Sequence, residues 1–322
     1  MKKIIAYSLV VAMTVFISVP AEVSAAPKSS KSTRQNVKQG KKPANKASKP
    51  NNPAVRQAAA ADSESLFDGN GRLMLGSASA LVLNQMTGTT LLEKNPGMIL
   101  PIASISKLMT AMVVIDAHLN MEEVISISDA DVDYLKGTRS RLPVGVSMTR
   151  DTALLLALMS SENRAANALA RHYPGGLSAF VAAMNRKAKA LGLTQTYFEE
   201  PTGLSFNNVS TARDLSRMVM AAHQYPIIRE YTTMAEARID MGDRVLDFTN
   251  TNTLVKNPQW QIGLSKTGYI SEAGRCLVMQ AWVAGKPVVM VFLDSSGKMT
   301  RVGDANRVKR WMEGDTPGNT GA

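Results

Sequence analysis

The sequence predicts an α+β fold of two subdomains: one antiparallel sheet built from both chain ends, with a helical subdomain inserted between them. Three observations predict it. Short alternating apolar runs at 78–84 and 89–93 stand near the start of the folded region. Apolar residues at helical spacing then recur from Ser104 to Ala222. Three strand-like runs, 261–267, 275–283 and 288–293, follow before a last helical pattern.

The first pair of runs flanks Gln85-Met86-Thr87-Gly88 and reads as a hairpin with Gly88 as turn residue. From Ser104, Leu108, Ala111, Met112, Ile115 and Leu119 keep helical spacing, with no break before Asn120. The stretch 126–142 is polar and irregular. Thr149 is placed to cap a helix whose 153–159 run is apolar nearly all round. A second helical pattern, 165–172, follows so closely that Ser161-Glu162-Asn163 must sit at a helix-to-helix junction. Leu177, Phe180, Val181, Met184, Ala188 and Leu191 form the next helix, closed by Gly192. Thr211 and Asp214 offer a variant capping box for a helix that ends ahead of Pro226. A small surface hairpin is expected within 237–248. Val302, Ala305, Val308 and Trp311 mark the final helix, and 314–322 reads as a frayed polar tail.

Ser104 and Lys107 lie one helical turn apart at the start of an apolar helix, which brings a hydroxyl and an amine onto one face. The free N–H groups and positive dipole end of a helix start favour negative charge developing there. This is a nucleophile with its own base. A lone Ser-x-x-Lys is weak; a further copy occurs from Ser295 to Lys298. The signal strengthens because Ser161-Glu162-Asn163 and Lys266-Thr267-Gly268 follow in order, 53 and 102 residues further on. Taken alone, Asn163 could cap the helix after it, and Lys266 could guard a strand edge.

The chain has 322 residues, a formal net charge of +11 and one Cys. Residues 1–25 read as a signal peptide: Lys2 and Lys3, an apolar run from Ile4 to Val19, then Val23-Ser24-Ala25 ahead of Ala26. Cleavage and release into the periplasm are expected, a retained N-terminal anchor being the alternative. Residues 26–64 form a basic linker; nine Lys and Arg between 28 and 56, with no acidic residue, carry most of the net charge. Such a segment has too little apolar surface to fold. It is either a solvated spacer or a loose electrostatic contact to an acidic wall polymer or an anionic membrane surface. Basic residues without interleaved aromatics exclude a nucleic-acid partner. A single cysteine excludes an internal disulfide, and Cys276, set in an apolar run, reads as core. The three His residues show no metal-ligand spacing, so the chemistry calls for no metal and no cofactor.

The three ordered motifs together form the signature of penicillin-binding proteins and class A β-lactamases. Over about 78–311 the chain resembles the serine D,D-peptidases of the low-molecular-mass penicillin-binding class. Further likeness lies in Pro101-Ile102-Ala103-Ser104, Glu200-Pro201-Thr202-Gly203-Leu204 and the stretch 208–215. The resemblance implies the β-lactamase/D,D-peptidase-like fold for 65–313 and hydrolysis of D-alanyl peptide bonds through an acyl-enzyme. It implies Ser104 as nucleophile, Lys107 as general base and Ser161 as proton relay to the leaving amine. Lys107 should be kept neutral by burial and by neighbouring positive charge such as Lys266. Asn163, Lys266, Thr267 and Gly268 would bind substrate, and the backbone N–H groups of Ser104 and Tyr269 would form the oxyanion hole. Glu199 and Glu200 would be structural.

The partners so implied are cross-linked peptidoglycan peptides, with β-lactam antibiotics as covalent inhibitors. Related carboxypeptidases carry an Arg near the start of the last helix. Matching Asp304-Ala305 to their acidic-Ala pair puts Gly303 there, with Arg301 close by. No separate β-rich domain or amphipathic anchor is expected after Trp311. Both departures point to an endopeptidase acting on D-alanyl-meso-diaminopimelyl cross-links. The alternatives are a D-alanyl-D-alanine carboxypeptidase, a β-lactamase, and a non-catalytic penicillin-binding or wall-binding protein.

Overall fold

The computed structural model describes residues 67, 73–242 and 244–314. The expected signal peptide, the whole of the basic linker and the tail beyond Gly314 lie outside the described residues.

The alternating run near the start folds as β1 (Ser77–Asn84) and β2 (Thr90–Lys94), turning through Gly88 at φ +70°. Short strands β3 (Leu100–Pro101), β4 (Val124–Ser126), β5 (Ser147–Thr149) and β6 (Val209–Ser210) pair as β3 with β6 and β4 with β5. A surface hairpin, β7 (Glu236–Asp240) and β8 (Val245–Thr249), precedes β9 (Gln261–Ile270), β10 (Gly274–Val283) and β11 (Lys286–Ser295). The main sheet has five strands in the order β2-β1-β11-β10-β9. The chain ends therefore meet in its middle: β1 and β11 run antiparallel from Ser77 opposite Ser295 to Asn84 opposite Val288. The motif strand β9 is left at an edge.

Period-two alternation explains why these strands read as continuous apolar runs. Leu81, Leu83, Val278, Val289 and Val291 face one core, while Ala80, Val82, Met279, Met290 and Phe292 face another. Both faces are covered. The second core is closed by the C-terminal helix, whose Ala305 and Val308 are fully buried. That helix is tied to β1 by Asp304, fully buried. Its carboxylate accepts the N–H groups of Gly76 and Ser77, each at 2.9 Å, and the Ser77 hydroxyl at 2.6 Å.

The helices are α1 (Lys107–Asp116), α2 (Arg150–Met159), α3 (Asn163–Arg171), α4 (Gly176–Ala190), α5 (Ala212–Ala222), α6 (Pro226–Thr233) and α7 (Thr300–Glu313). Every residue of α1 from Lys107 to Val114 is buried, so this helix forms the centre of the helical layer. Thr149 caps α2 by accepting the Thr152 N–H.

Three local expectations are corrected. Ser104 lies in a 3-10 turn, Ala103–Ser106, and the α-helix starts only at Lys107 and stops at Asp116. Thr211 accepts the Asp214 N–H as a cap, but the Asp214 carboxylate holds the Gln195 N–H and the Thr196 hydroxyl instead of closing a capping box. Pro226, read as a terminator, is the first residue of α6, where its missing N–H costs nothing.

Candidate active site

The turn carrying Ser104 is held under strain. Ala103 has φ +48°, a left-handed conformation costing on the order of 1–3 kcal/mol for a residue with a side chain. The surroundings hold it there: the Ser106 hydroxyl donates to Ala103 O (2.9 Å), the Asn208 amide donates to Ser106 Oγ (2.9 Å), and Ile102 N–H donates to Asn208 O. Two glycines press on the same turn. A β-carbon on Gly203 (φ +84°) would lie 2.0 Å from Ala103 O, and one on Gly268 would lie 2.8 Å from Ile102 O and 3.2 Å from Ser104 N. Gly268 thus brings the β9 edge, and the backbone leading into Tyr269, against the Ser104 amide.

Lys107 reaches three oxygens: Ser104 Oγ at 2.9 Å, Asn163 Oδ1 at 2.7 Å and Thr202 O at 2.7 Å. Burial lowers its pKa to about 7, against the opposing pull of the Glu200 and Glu162 carboxylates. A neutral amine has two N–H donors and one lone pair. Asn163 Oδ1 and Thr202 O can only accept, so the two donors go to them and the lone pair is left facing the Ser104 hydroxyl. Neighbouring positive charge does not lower Lys107 as expected; the charges acting on it are carboxylates. The repulsion falls on Lys266, held well below its usual value by burial, then by Lys107 and Arg301.

Ser161, at φ +61° in the junction between α2 and α3, has its Oγ 2.9 Å from Lys266 Nζ. Asn163 is the first residue of α3 and not its cap; its amide nitrogen donates to Thr138 Oγ1 at 3.0 Å. The loop that presents Thr138 is wound around the Asp133 carboxylate, which accepts the N–H groups of Leu135, Lys136 and Thr138. Thr267 Oγ1 donates to Thr251 Oγ1 at 2.6 Å. All seven residues expected at the site from sequence, with Tyr269, therefore converge from three separate segments. A cleft of about 210 Å³ is lined by Ser104, Ser161, Thr267, Gly268, Tyr269 and Arg301, with Thr251 at its side.

Sequence reasoning did not find Thr138, Thr202, Thr251 or Gly203 as members of the site; Thr202 and Gly203 lie in the stretch 200–204, whose likeness was the available signal, and Thr138 and Thr251 carry none. Glu200 is structural as expected: it accepts the Thr202 N–H and hydroxyl and the Gly203 N–H, which shapes the loop that presents Thr202 O to Lys107.

The expected role of Gly303 is corrected. Gly303 lies within α7, its N–H bonded to Met299 O, whereas Arg301 on the first turn reaches the cleft and donates to Gly268 O at 2.9 Å. Its Nε is buried without a hydrogen-bond partner among the described residues. Arg301 lines the cleft, and among the described residues no carboxylate is bonded to it, to Lys107 or to Lys266. A ligand carboxylate in the cleft would find a partner in the Arg301 guanidinium.

Comparison with known proteins agrees with this architecture. A family model described as D-alanyl-D-alanine carboxypeptidase matches residues 69–297, more than half the chain. A D-alanyl-D-alanine endopeptidase of Pseudomonas aeruginosa is 51% identical over 74% of this chain and 78% of that protein. One of Escherichia coli is 47% identical over the same shares. The crystal structure of a Streptomyces DD-transpeptidase superimposes with a TM-score of 0.70 at 28% identity, covering 75% of this chain and 98% of that one. The ordered motifs, the sheet closed by both chain ends and these likenesses lead to one assignment: the chain belongs to the D-alanyl-D-alanine carboxypeptidase family of serine D,D-peptidases.

Proposed function

We propose that this D,D-peptidase is an endopeptidase that hydrolyses D-alanyl-meso-diaminopimelyl cross-links of peptidoglycan through an acyl-enzyme on Ser104. The observation that carries the chemistry is Lys107 Nζ lying 2.9 Å from Ser104 Oγ, with Asn163 Oδ1 and Thr202 O there to take its protons. In this reading Ser104 Oγ attacks the D-alanyl carbonyl carbon while its proton passes to Lys107 Nζ. The oxyanion forms against the backbone N–H groups of Ser104 and Tyr269. Collapse breaks the C–N bond, and the departing nitrogen takes a proton from Ser161 Oγ, which is resupplied through Lys266 by the proton that Lys107 took from Ser104, so that Lys107 is neutral again. Water, deprotonated by Lys107, then attacks the ester; the released donor peptide ends in D-Ala and Ser104 recovers its proton. Asn163, Thr267 and Gly268 hold the extended substrate along the β9 edge.

Arg301 in the cleft favours a second reading, a carboxypeptidase that binds the free carboxylate of a terminal D-Ala. The chemistry of the cross-link answers it. The diaminopimelyl carbon next to the scissile nitrogen also bears a carboxylate, so Arg301, Lys266 and Thr267 serve either leaving group. The names of the two relatives above support the endopeptidase. Export, with residues 1–25 as a cleaved leader, belongs to the same proposal; among the described residues no helix is long and apolar enough to cross a membrane.

The test has two steps. Purified residues 26–322 incubated with a penicillin should gain one ligand mass on the peptide containing Ser104; label elsewhere, or none, rejects the mechanism. A cross-linked dimer and an uncross-linked pentapeptide are then offered at equal concentration. Conversion of dimer to monomers with little D-Ala release supports the endopeptidase; D-Ala release with the dimer intact assigns a carboxypeptidase.

A further inference from the structure

Next to the catalytic cleft lies a second cavity of about 420 Å³ that shares Ser161 with it. Its walls include Asn163, Glu162, Arg141 and Arg139. The two arginines differ. Arg141 is already committed: its Nε donates to the Glu162 carboxylate at 3.2 Å, its Nη1 to Asp247 O at 3.1 Å, and its guanidinium lies 4.2 Å from the centre of the Phe248 ring. Glu162 is in turn neutralised by Arg141 and bonded by the Ser140 hydroxyl at 2.7 Å. Arg139 is exposed and has no hydrogen bond or ion pair among the described residues. The cavity wall therefore keeps one guanidinium in reserve, and Glu162, the one carboxylate among the described residues that line it, is spent.

We infer that this cavity is the subsite for the acceptor strand of the cross-link, with Arg139 receiving a carboxylate of the peptide several bonds beyond the scissile nitrogen. This rests on the proposed endopeptidase. The leaving nitrogen must come within hydrogen-bond reach of Ser161 Oγ, so whatever continues past that nitrogen passes Ser161 and enters this cavity. A terminal D-Ala ends at its own carboxylate and methyl group and leaves the cavity empty. An acceptor stem peptide continues through a chain of methylene groups to further amides and carboxylates. Its planar carboxylates match the forked donors of a guanidinium. Selection between the two leaving groups then rests on the cavity past Ser161 and not on Arg301, which faces a carboxylate in both.

The experiment compares the intact mature chain with Arg139→Ala and Arg139→Lys, measuring hydrolysis of a cross-linked dimer, D-Ala release from a pentapeptide, and acylation of Ser104 by penicillin. For Arg139→Ala the ratio of dimer hydrolysis to penicillin acylation should fall about tenfold, the size expected of one charge-assisted contact, mainly through a raised KM. Arg139→Lys should recover part of it. Dimer hydrolysis by the parent that is unaffected in Arg139→Ala overturns the subsite alone. An equal fall in all three activities assigns Arg139 a scaffolding role and overturns it as well. A parent that is acylated by penicillin yet leaves the dimer intact overturns the endopeptidase reading and the subsite with it.

Discussion

Gly203 packs directly on Ala103, with no room between them: a β-carbon at 203 would fall 2.0 Å from the Ala103 carbonyl oxygen and 2.7 Å from the Ser104 nitrogen. The loop that gives Lys107 its Thr202 acceptor thus also sets the backbone of the nucleophile turn. Gly203→Ala adds a methyl group that can be accommodated only by moving that turn, at a position whose φ of +84° already disfavours a side chain. Penicillin acylation should slow by about 100-fold, the effect of a displacement near 1 Å at a reacting group. Stopped-flow acylation with a chromogenic cephalosporin reads this directly, and a rate within twofold of the parent would refute it.

The pKa of Lys107, lowered by burial to about 7, makes two expectations. As the base for Ser104 it must be neutral, so acylation should rise with pH up to about 7 and level off above. Folding stability should follow the same group. Between about 7 and its unfolded value near 10.5, the amine is charged in the unfolded chain and neutral in the folded one, so unfolding takes up a proton. Stability contributed by this site therefore rises with pH across that window, and the cost of the buried charge is fully present below it. Urea unfolding of the parent and of Lys107→Met at several pH values should show the difference between them moving in the parent's favour from pH 7 to pH 10.

Glu200 raises the Lys107 pKa through its charge, second only to the opposing effect of burial. Glu200→Gln removes that charge and should move the acid limb of the acylation profile to lower pH. It also replaces a carboxylate that accepts from Thr202 and Gly203 with an amide that has one acceptor oxygen. A stability loss of about 1–3 kcal/mol should accompany the shift. A profile that stays in place, or moves upward, would show that this charge does not reach Lys107.

The Asp304 carboxylate joins the two ends of the chain by accepting from Gly76 and from Ser77. In Asp304→Asn one oxygen becomes an NH₂ group facing backbone donors, in a position with no solvent to relieve it. We expect a loss of about 3 kcal/mol in chemical denaturation, within the range for an unsatisfied buried group. The acylation rate measured well below the new midpoint should change far less than in Gly203→Ala.

Some of this protein could be read along the chain because it depends on near neighbours. Ser104 and Lys107 are three residues apart, and three residues of helical backbone bring two side chains together whatever surrounds them; the 3-10 turn under Ser104 preserves that proximity. The strand runs, the Thr149 cap and the order of the three motifs were legible for the same reason. Helix α6 was not, because a proline that can end one helix can equally begin another, and only the packing of Ile228 and Tyr231 into the core decides between them. Tertiary structure alone decided the rest. Thr202 O meets Lys107 across 95 residues of sequence, and Thr138 meets Asn163 across 25. Arg301 enters the cleft because α7 begins at Thr300, a phase that the spacing around Asp304-Ala305 misplaced onto Gly303. The lowered pKa of Lys107 is decided last of all. A lysine in a sequence carries a charge, and it becomes a base only when the whole domain closes around it and removes the water that had stabilised the proton.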